Sequence, residues 1–548
     1  MPRPQPSLPG LVIGGTGSNS GKTTLTLALL CALHERGLVA RAAKTGPDYI
    51  DAAFHAALTG QPAANLDTWM CRESAPSPAE RPLSAGAVFS ARLPAGLRRV
   101  FDRMSLPGQP LASATTAQPA NNGIFVPDLV VVEGAMGLFD GGHKGAGSTA
   151  HLAGLLGLPL LLVLNAGGMG QSVAALAEGF LHHRPAWAKN RPSAFLGMVC
   201  THVGSARHAD LLRQSLAPLC KSSGVPLLGL MPRQGAPTLP ARHLGLVEAR
   251  EVLPNLDRHA LAQWAENHCT IDMLLQRAGA GTLRRPLPAE TTAQAPTPTA
   301  PLSPPSTPPI TLAARFFSPA STGKRRGTRP LRIGMAWDEA FSFCYADLPA
   351  LLGELKAEVI AFSPLRHAAP PQNCAGLYFP GGYPELHAGR IAANTSMRSA
   401  LHALAAQGMP MYGECGGYMY LMHSLRLNGQ EYAMSGLLPR SCTLGQNKAA
   451  LGYRAAQAQA DWLPTAHSRP LWVRGHEFHY AQEQPAPLPA GCSPLWQLHD
   501  SQGRFLRADG CRKGSVAGSW LHCYPEGSRR FWRAWLAGCA AYIAAQDP

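Results

Sequence analysis

The chain has 548 residues, more than one hydrophobic core usually organises, so two or three domains are expected. With 46% hydrophobic and 15% charged residues it reads as globular, not disordered. The formal charge of +15 comes from scattered Lys and Arg, tightly clustered only at Lys324-Arg325-Arg326 and without an aromatic-basic motif, so no nucleic-acid partner is expected. The longest apolar run, near Leu152 to Leu164, is broken by Gly154, Gly157 and Pro159 and is too short for a bilayer. Thirteen cysteines without a Cys-x-x-Cys pair, after a Pro-rich polar start, suggest a reduced cytoplasmic protein with no membrane partner.

Residues 1–10 read as a disordered N-terminus. Leu11-Val12-Ile13 is then a strand candidate, and Thr23 to Arg36 has helical apolar spacing. Between them lies Gly14-Gly15-Thr16-Gly17-Ser18-Asn19-Ser20-Gly21-Lys22-Thr23-Thr24. Gly15, Thr16 and Gly21 let backbone N–H groups turn around phosphate oxygens, and the following helix start adds partial positive charge. Lys22 can bridge phosphates, the Thr23 hydroxyl can ligate Mg²⁺, and Thr24 closes the nucleotide-binding set. Strict phosphate-loop spacing would put Gly at Thr16, so Gly15 takes the turn one place earlier.

Downstream, Lys44-Thr45-Gly46-Pro47-Asp48-Tyr49-Ile50-Asp51 sets a second Lys beside two carboxylates, a pattern suited to a phosphate and Mg²⁺. Residues 80–123 show no clear period and read as an insertion. Leu129 to Val132 and Leu160 to Leu164 are buried-strand candidates. Strands alternating with helices imply a parallel sheet. Glu133, opening Glu133-Gly134-Ala135-Met136-Gly137-Leu138-Phe139-Asp140, would then sit where ligands of open α/β sheets bind, as a metal or water-orienting group. Residues 284–330, rich in Pro, Thr, Ala and Ser, read as a flexible linker. It separates a phosphate-loop domain over 11–283 from a second α/β domain over 331–548.

The motifs of the first domain, with Asn65-Leu66-Asp67 and Arg242-His243-Leu244-Gly245-Leu246, together resemble the cobyrinic acid a,c-diamide synthase family and occur in its order. The resemblance implies a dethiobiotin-synthetase-like phosphate-loop fold, with Asp48, Asp51, Glu133 and Asp140 serving substrate, Mg²⁺ and a phosphorylated intermediate. Asp48, Glu133 and Thr23 are the expected metal ligands, and Lys44 joins the nucleotide set. Two places depart from the family: Asn165 stands for its Asp, and Thr201-His202 for its Asn-Arg pair, which leaves base selectivity open.

In the second domain, Gly413-Glu414-Cys415-Gly416-Gly417 has the small flanks a nucleophile elbow needs, and a helix after Cys415 would favour the thiolate. Gly381 and Gly382, in Tyr378-Phe379-Pro380-Gly381-Gly382-Tyr383-Pro384-Glu385, can donate to an oxyanion. His522 is the candidate base. These segments resemble a class I glutamine amidotransferase, and Arg474-Gly475-His476-Glu477-Phe478-His479-Tyr480 resembles its corrin-amidating subgroup. The usual Glu two places after the His is here Tyr524, so a Cys415–His522 dyad is expected, with Glu526 outside it and His476 and His479 unassigned.

The resemblance implies ATP- and glutamine-dependent amidation of corrin acetate carboxylates through an acyl phosphate. The expected partners are a corrin polycarboxylate, L-glutamine and ATP, with a homodimer left open. The sibling reading is cobyric acid synthase or another tetrapyrrole amidoligase. A different class is a phosphate-loop partitioning ATPase.

Overall fold

The computed structural model describes residues 8–76, 93–106, 126–142, 145–185, 194–235, 253–280, 330–459, 462–463, 470–484 and 487–546. The Arg242-to-Leu246 segment, the Lys324–Arg326 cluster and residues 284–329 of the linker lie outside them. Contacts divide the described chain into two units. Of the described residues, one holds those within 8–68, 93 and 97–280, the other those within 69–76, 94–96 and 330–546. A linear division of the sequence at the linker does not assign 69–76 to the second.

The first unit is a seven-stranded sheet in the order β3-β2-β4-β1-β5-β6-β7. Its strands are β1 (Gly10–Gly15), β2 (Ala40–Thr45), β3 (Ala64–Leu66), β4 (Leu129–Glu133), β5 (Leu160–Asn165), β6 (Phe195–Val203) and β7 (Leu227–Pro232). Every pairing is parallel. Crossover helices cover such a sheet on both faces, so its central strands are continuous apolar runs: β1 and β4 are buried throughout. After β1 the chain builds β2 and β3 on one side, returns through β4 beside β1, and continues with β5 on β1's other edge. That reversal puts the loop after β1 at the switch point where open α/β sheets bind ligands.

The helices of this unit are α1 (Lys22–Glu35), α2 (Tyr49–Thr59), α3 (Ala95–Ser105), α4 (Thr149–Leu156), α5 (Ser172–His182), α6 (Ala206–Ser223), α7 (Arg258–His268) and α8 (Ile271–Arg277). α1 is buried almost all round because α2 and α7 pack on it. α3 corrects the reading of 80–123 as a stretch without period. Leu97, Val100, Phe101 and Met104 recur at helical spacing and are buried.

The second unit has a main sheet in the order β18-β21-β22-β11-β10-β8-β9, flanked by two smaller ones, β13-β12-β14-β17 and β20-β19-β15-β16-β23. In chain order its strands are β8 (Leu331–Ala336), β9 (Ala357–Phe362), β10 (Gly376–Phe379), β11 (Met411–Glu414), β12 (Ser424–Leu427), β13 (Gln430–Ala433), β14 (Ser441–Leu444), β15 (Ala450–Ala458), β16 (Trp472–His479), β17 (Ala481–Glu483), β18 (Cys492–Ser493), β19 (Trp496–His499), β20 (Phe505–Asp509), β21 (Cys511–Lys513), β22 (Val516–Ser519) and β23 (His522–Cys523). The five main strands from β22 to β9 run parallel. Helices α9 (Asp347–Glu354), α10 (Ala388–Ala393), α11 (Thr395–Ala406), α12 (Gly416–Leu421) and α13 (Arg529–Gln546) complete the unit. α13 buries Phe531, Trp532, Trp535, Leu536 and Cys539.

Residues 69–76 are fastened by Arg474, whose side chain is fully buried. Its guanidinium donates to the carbonyls of Trp69 (3.2 Å), Ser74 (3.0 Å) and Ala75 (3.2 Å), and lies 4.6 Å from the Trp69 ring centre. The Arg530 N–H donates to Glu73 at 2.7 Å.

Leu161, in β5, has no solvent exposure. Leu161→Ala should cost about 2–5 kcal/mol through lost burial and a residual cavity. Urea unfolding should show the first unit's midpoint falling accordingly, and an unchanged midpoint would contradict this placement of β5.

Candidate active sites

The first site forms where strand ends meet. β1 runs into the phosphate loop, and Gly21, at φ 81°, caps the start of α1. A Cβ at Gly15 would stand 2.1 Å from Ser20 Oγ, so the loop closes only around glycine there. Lys22 Nζ donates to the Gly17 carbonyl at 2.8 Å, lying across the loop. Burial, then the charge of Lys44, lowers the Lys22 pKa. Thr24 follows in the first turn of α1.

Lys44 and Glu133 are cross-strand neighbours at the ends of β2 and β4. Glu133 is fully buried. Its Oε1 accepts from Thr23 Oγ1 at 2.5 Å and from Lys44 Nζ at 2.7 Å, and its Oε2 lies 2.8 Å from His55 Nε2. Lys44 also donates to Asp51 Oδ2 at 2.5 Å, and that oxygen is 3.5 Å from the Thr23 hydroxyl. Burial alone would raise the Glu133 pKa, but the Lys44 charge and the His55 hydrogen bond outweigh it and hold the carboxyl below its usual range. Asp51 moves the other way: burial, then the Glu133 and Asp48 charges, pushes it up to about 6.

Thr23, Lys44, Asp51 and Glu133 are thus brought together. Asp48 stands beside them at the start of α2, where its Oδ1 caps the helix, accepting from the N–H groups of Ile50 and Asp51. Asp140 is exposed, its Oδ2 accepting from the Gly137 N–H at 2.9 Å. His55 was missed. Its signal was the four-residue spacing from Asp51, which sets both on one face of α2. The two departures from the family pattern support the loop: the Thr201 hydroxyl donates to the Ser20 carbonyl at 2.8 Å, and the Asn165 N–H points to Thr16 Oγ1 at 3.5 Å.

Among the described residues, no three His, Cys, Asp or Glu side chains form a metal-holding cluster. Mg²⁺ does not require one, because it commonly keeps waters and phosphate oxygens beside one or two carboxylates. The convergence of Thr23, Asp51 and Glu133 oxygens fits that demand.

The second site lies at the C-terminal ends of the neighbouring strands β10, β11 and β22. Cys415 follows β11 with φ 48°, a strained elbow that continues the ladder by donating its N–H to the Ser519 carbonyl at 2.8 Å. The thiol points to the Phe478 carbonyl at 3.9 Å. A Cβ on Gly417 would fall 2.0 Å from the Phe379 carbonyl, and one on Gly416 would fall 2.9 Å from both N and O of Gly382. Those near-contacts seat the Gly381-Gly382 turn directly against the elbow. His522 lies on the same turn, since a Cβ on Gly381 would be 2.4 Å from His522 Cε1.

Glu414 anchors this arrangement from below, accepting from Tyr378 Oη at 3.0 Å and from the Cys523 N–H at 3.3 Å. Burial pushes it up to about 8. The helix start acts in the expected direction, the Gly416 N–H favouring the thiolate, but burial, then the Glu385 charge, outweighs it and raises the Cys415 thiol. Glu526 pairs with Arg529 at 3.1 Å. His476, unassigned from the sequence, stacks on His522 with ring centres 4.8 Å apart and reaches Tyr345 Oη at 3.0 Å. His479 instead stacks on Trp520 at 4.2 Å.

The fold and sites define a nucleotide-binding domain joined to a glutamine amidotransferase domain. Residues 11–247 match the CobQ/CobB/MinD/ParA nucleotide binding domain, and residues 332–529 match the CobB/CobQ-like glutamine amidotransferase domain. Over 525 residues the chain is 35% identical to the hydrogenobyrinate a,c-diamide synthase of Mesorhizobium japonicum, covering 94% of this chain and 99% of that one. It is 34% identical over 535 residues to the cobyrinate a,c-diamide synthase of Syntrophotalea carbinolica, with 96% and 98% covered. A hydrogenobyrinate a,c-diamide synthase of Rhodobacter capsulatus is 37% identical over 523 residues, with 94% and 98% covered. The chain belongs to the cobyrinate and hydrogenobyrinate a,c-diamide synthase family, whose members are glutamine-dependent amide-forming ligases.

Two outcomes follow from the second site. Gly381→Ala should displace the His522 ring and lower glutaminase kcat by at least ~10-fold while leaving nucleotide binding intact. Unchanged glutaminase kinetics would show that the ring has room. For acid stability, burial pushes His476 down to about 3, and burial followed by the His476 and His479 charges puts His522 well below its ordinary value. The unfolded chain takes up protons below about pH 6.5 that the folded rings refuse, so stability falls as pH drops from there. His476→Gln should remove about 2 kcal/mol of the loss between pH 7 and 5, read from urea unfolding at both pH values. A variant with the wild-type pH dependence would refute this.

Proposed function

We propose that the chain amidates the a and c acetate carboxylates of cobyrinic or hydrogenobyrinic acid, using ATP and the side-chain amide of L-glutamine, as a cytoplasmic enzyme of cobalamin biosynthesis. Among the described residues no helix is long and apolar enough to cross a membrane. The observation that carries this reading is the pairing of a phosphate loop backed by Lys44, Asp51 and Glu133 with a strained cysteine elbow, in a chain aligned over 94% and 96% of its length with two relatives of that name. Residues 11–283 would form the amide-forming domain, 284–330 the linker and 331–548 the ammonia-forming domain.

In the second domain, Cys415 gives its proton to His522 and attacks the glutamine amide carbon. Gly381 and Gly382 N–H groups stabilise the oxyanion. His522 returns the proton to the departing ammonia, and water then releases glutamate from the thioester. The burial that raises the free thiol marks a resting state in which the proton leaves only as the nucleophile attacks.

In the first domain, Gly15, Thr16 and Gly21 cradle the nucleotide phosphates, while Lys22 and Lys44 neutralise charge as it develops. Bound Mg²⁺, held by the oxygens of Thr23, Asp51 and Glu133, would supply further neutralisation of the phosphates. Asp51 joins the ligands read from the sequence, and the Asp48 cap sets the start of α2 beside it. An acetate oxygen of the substrate attacks the γ-phosphorus and ADP leaves. Ammonia then adds to the acyl carbon, and phosphate leaves as the amide forms. Asp140, exposed on the loop after β4, faces the incoming substrate. A partitioning-type ATPase has no use for the amidotransferase domain, and the sibling corrin amidoligases are separated by the product alone.

Cys415→Ala should lose amidation with glutamine and regain it with added ammonium, each amide exchanging one oxygen for one NH group in the mass spectrum. Two exchanges in wild type support the a,c-diamide product. A variant that still uses glutamine would refute the assignment of Cys415.

A further inference from the structure

His55 lies outside the motifs that carry the reaction, yet it is buried as completely as Glu133. The ring has no solvent exposure. Its Nε2 stands 2.8 Å from Glu133 Oε2, and because a carboxylate only accepts, Nε2 carries the proton. The remaining nitrogen, Nδ1, is buried with no hydrogen-bond partner among the described residues. A buried unpaired nitrogen is costly, so the ring orientation that leaves it orphaned is set by the bond to Glu133. α2 delivers His55 four residues after Asp51, on one helix face, so a single element aligns both groups at the end of β4.

The consequence falls on the geometry of Glu133. Oε2 is turned inward and occupied by the imidazole, while Oε1 faces Thr23 Oγ1 (2.5 Å) and Lys44 Nζ (2.7 Å). Only one carboxylate oxygen is presented to the phosphate side. A carboxylate held to one oxygen suits a small octahedral cation, whereas a larger cation such as Ca²⁺ readily takes both oxygens of a carboxylate.

We propose that His55 is a positioning residue that fixes Glu133 as a one-oxygen ligand and thereby selects Mg²⁺ over Ca²⁺ at the nucleotide site. The inference rests on the proposed metal role of Glu133.

The test uses the full-length protein and mant-ATP, a fluorescent nucleotide, titrated in EDTA, in Mg²⁺ and in Ca²⁺. His55→Leu should raise the Mg²⁺ concentration at half-saturation by on the order of 10-fold, the scale of losing a ligand's outer hydrogen bond. It should also narrow the Mg²⁺-to-Ca²⁺ preference and leave binding in EDTA unchanged. His55→Gln, which keeps an N–H near the place of Nε2, should restore most of both. Should His55→Leu not fold, judged by its far-ultraviolet circular dichroism, His55→Asn carries the same test, because its shorter amide cannot span to Oε2. A folded His55→Leu or His55→Asn variant with wild-type Mg²⁺ half-saturation and preference overturns the proposal. So does a His55→Gln variant that behaves like His55→Leu, since packing alone would then explain both. A wild type whose nucleotide binding ignores Mg²⁺ instead removes the metal reading itself, and the role of His55 with it.

Discussion

A carboxylate without solvent at the end of a central strand is the constraint around which the first unit is arranged. Glu133 can stay ionised there only if fixed donors replace the lost water. Three segments far apart in the chain supply them: Thr23 from the start of α1, Lys44 from the end of β2, and His55 from α2. Their convergence requires β2 and β4 to be adjacent and in the register that opposes Lys44 to Glu133. It also requires α2 to begin where the Asp48 cap starts it. Sheet order, strand register and helix start are therefore tied to one buried charge.

The second unit solves a related problem with the opposite electrostatics. Its elbow is enclosed by close backbone approaches at Gly381, Gly416 and Gly417, and by a buried, stacked pair of histidines. Burial favours the uncharged forms of Cys415 and His522 alike. On the Cys415 and His522 side chains charge develops only with the reaction, whereas in the first site it is present permanently and held by paired neighbours. Both sites use the same architectural place, the C-terminal ends of parallel strands, where loops are free to differ while the sheet stays fixed.

Much of this was legible in the residues. Period and composition located β1, β4 and β5, and glycine spacing located both the phosphate loop and the elbow, because each depends on local backbone shape. What escaped depends on pairing between distant segments. The role of His55 needs β4 beside α2, and that of His476 needs β16 paired with β23, where His476 faces His522 directly. The cap made by Asp48 escaped for a local reason: Asp at a helix start caps that helix as readily as it ligates a metal, and spacing does not separate the two. The α3 stripe was hidden by the low-complexity sequence on either side of it.

The buried guanidinium of Arg474 gives the molecule an indivisibility that its linker disguises. By composition the Pro-rich stretch is the place to cut, yet the acceptors for that charge, the carbonyls of Trp69, Ser74 and Ala75, come from the other side of the cut. A fragment beginning after the linker would keep the cation and lose the groups that solvate it, a defect worth several kcal/mol. Splitting the two activities onto separate chains would therefore take more than a stop and a start codon: the short run 69–76 would have to be transplanted, or Arg474 replaced by something content to be alone.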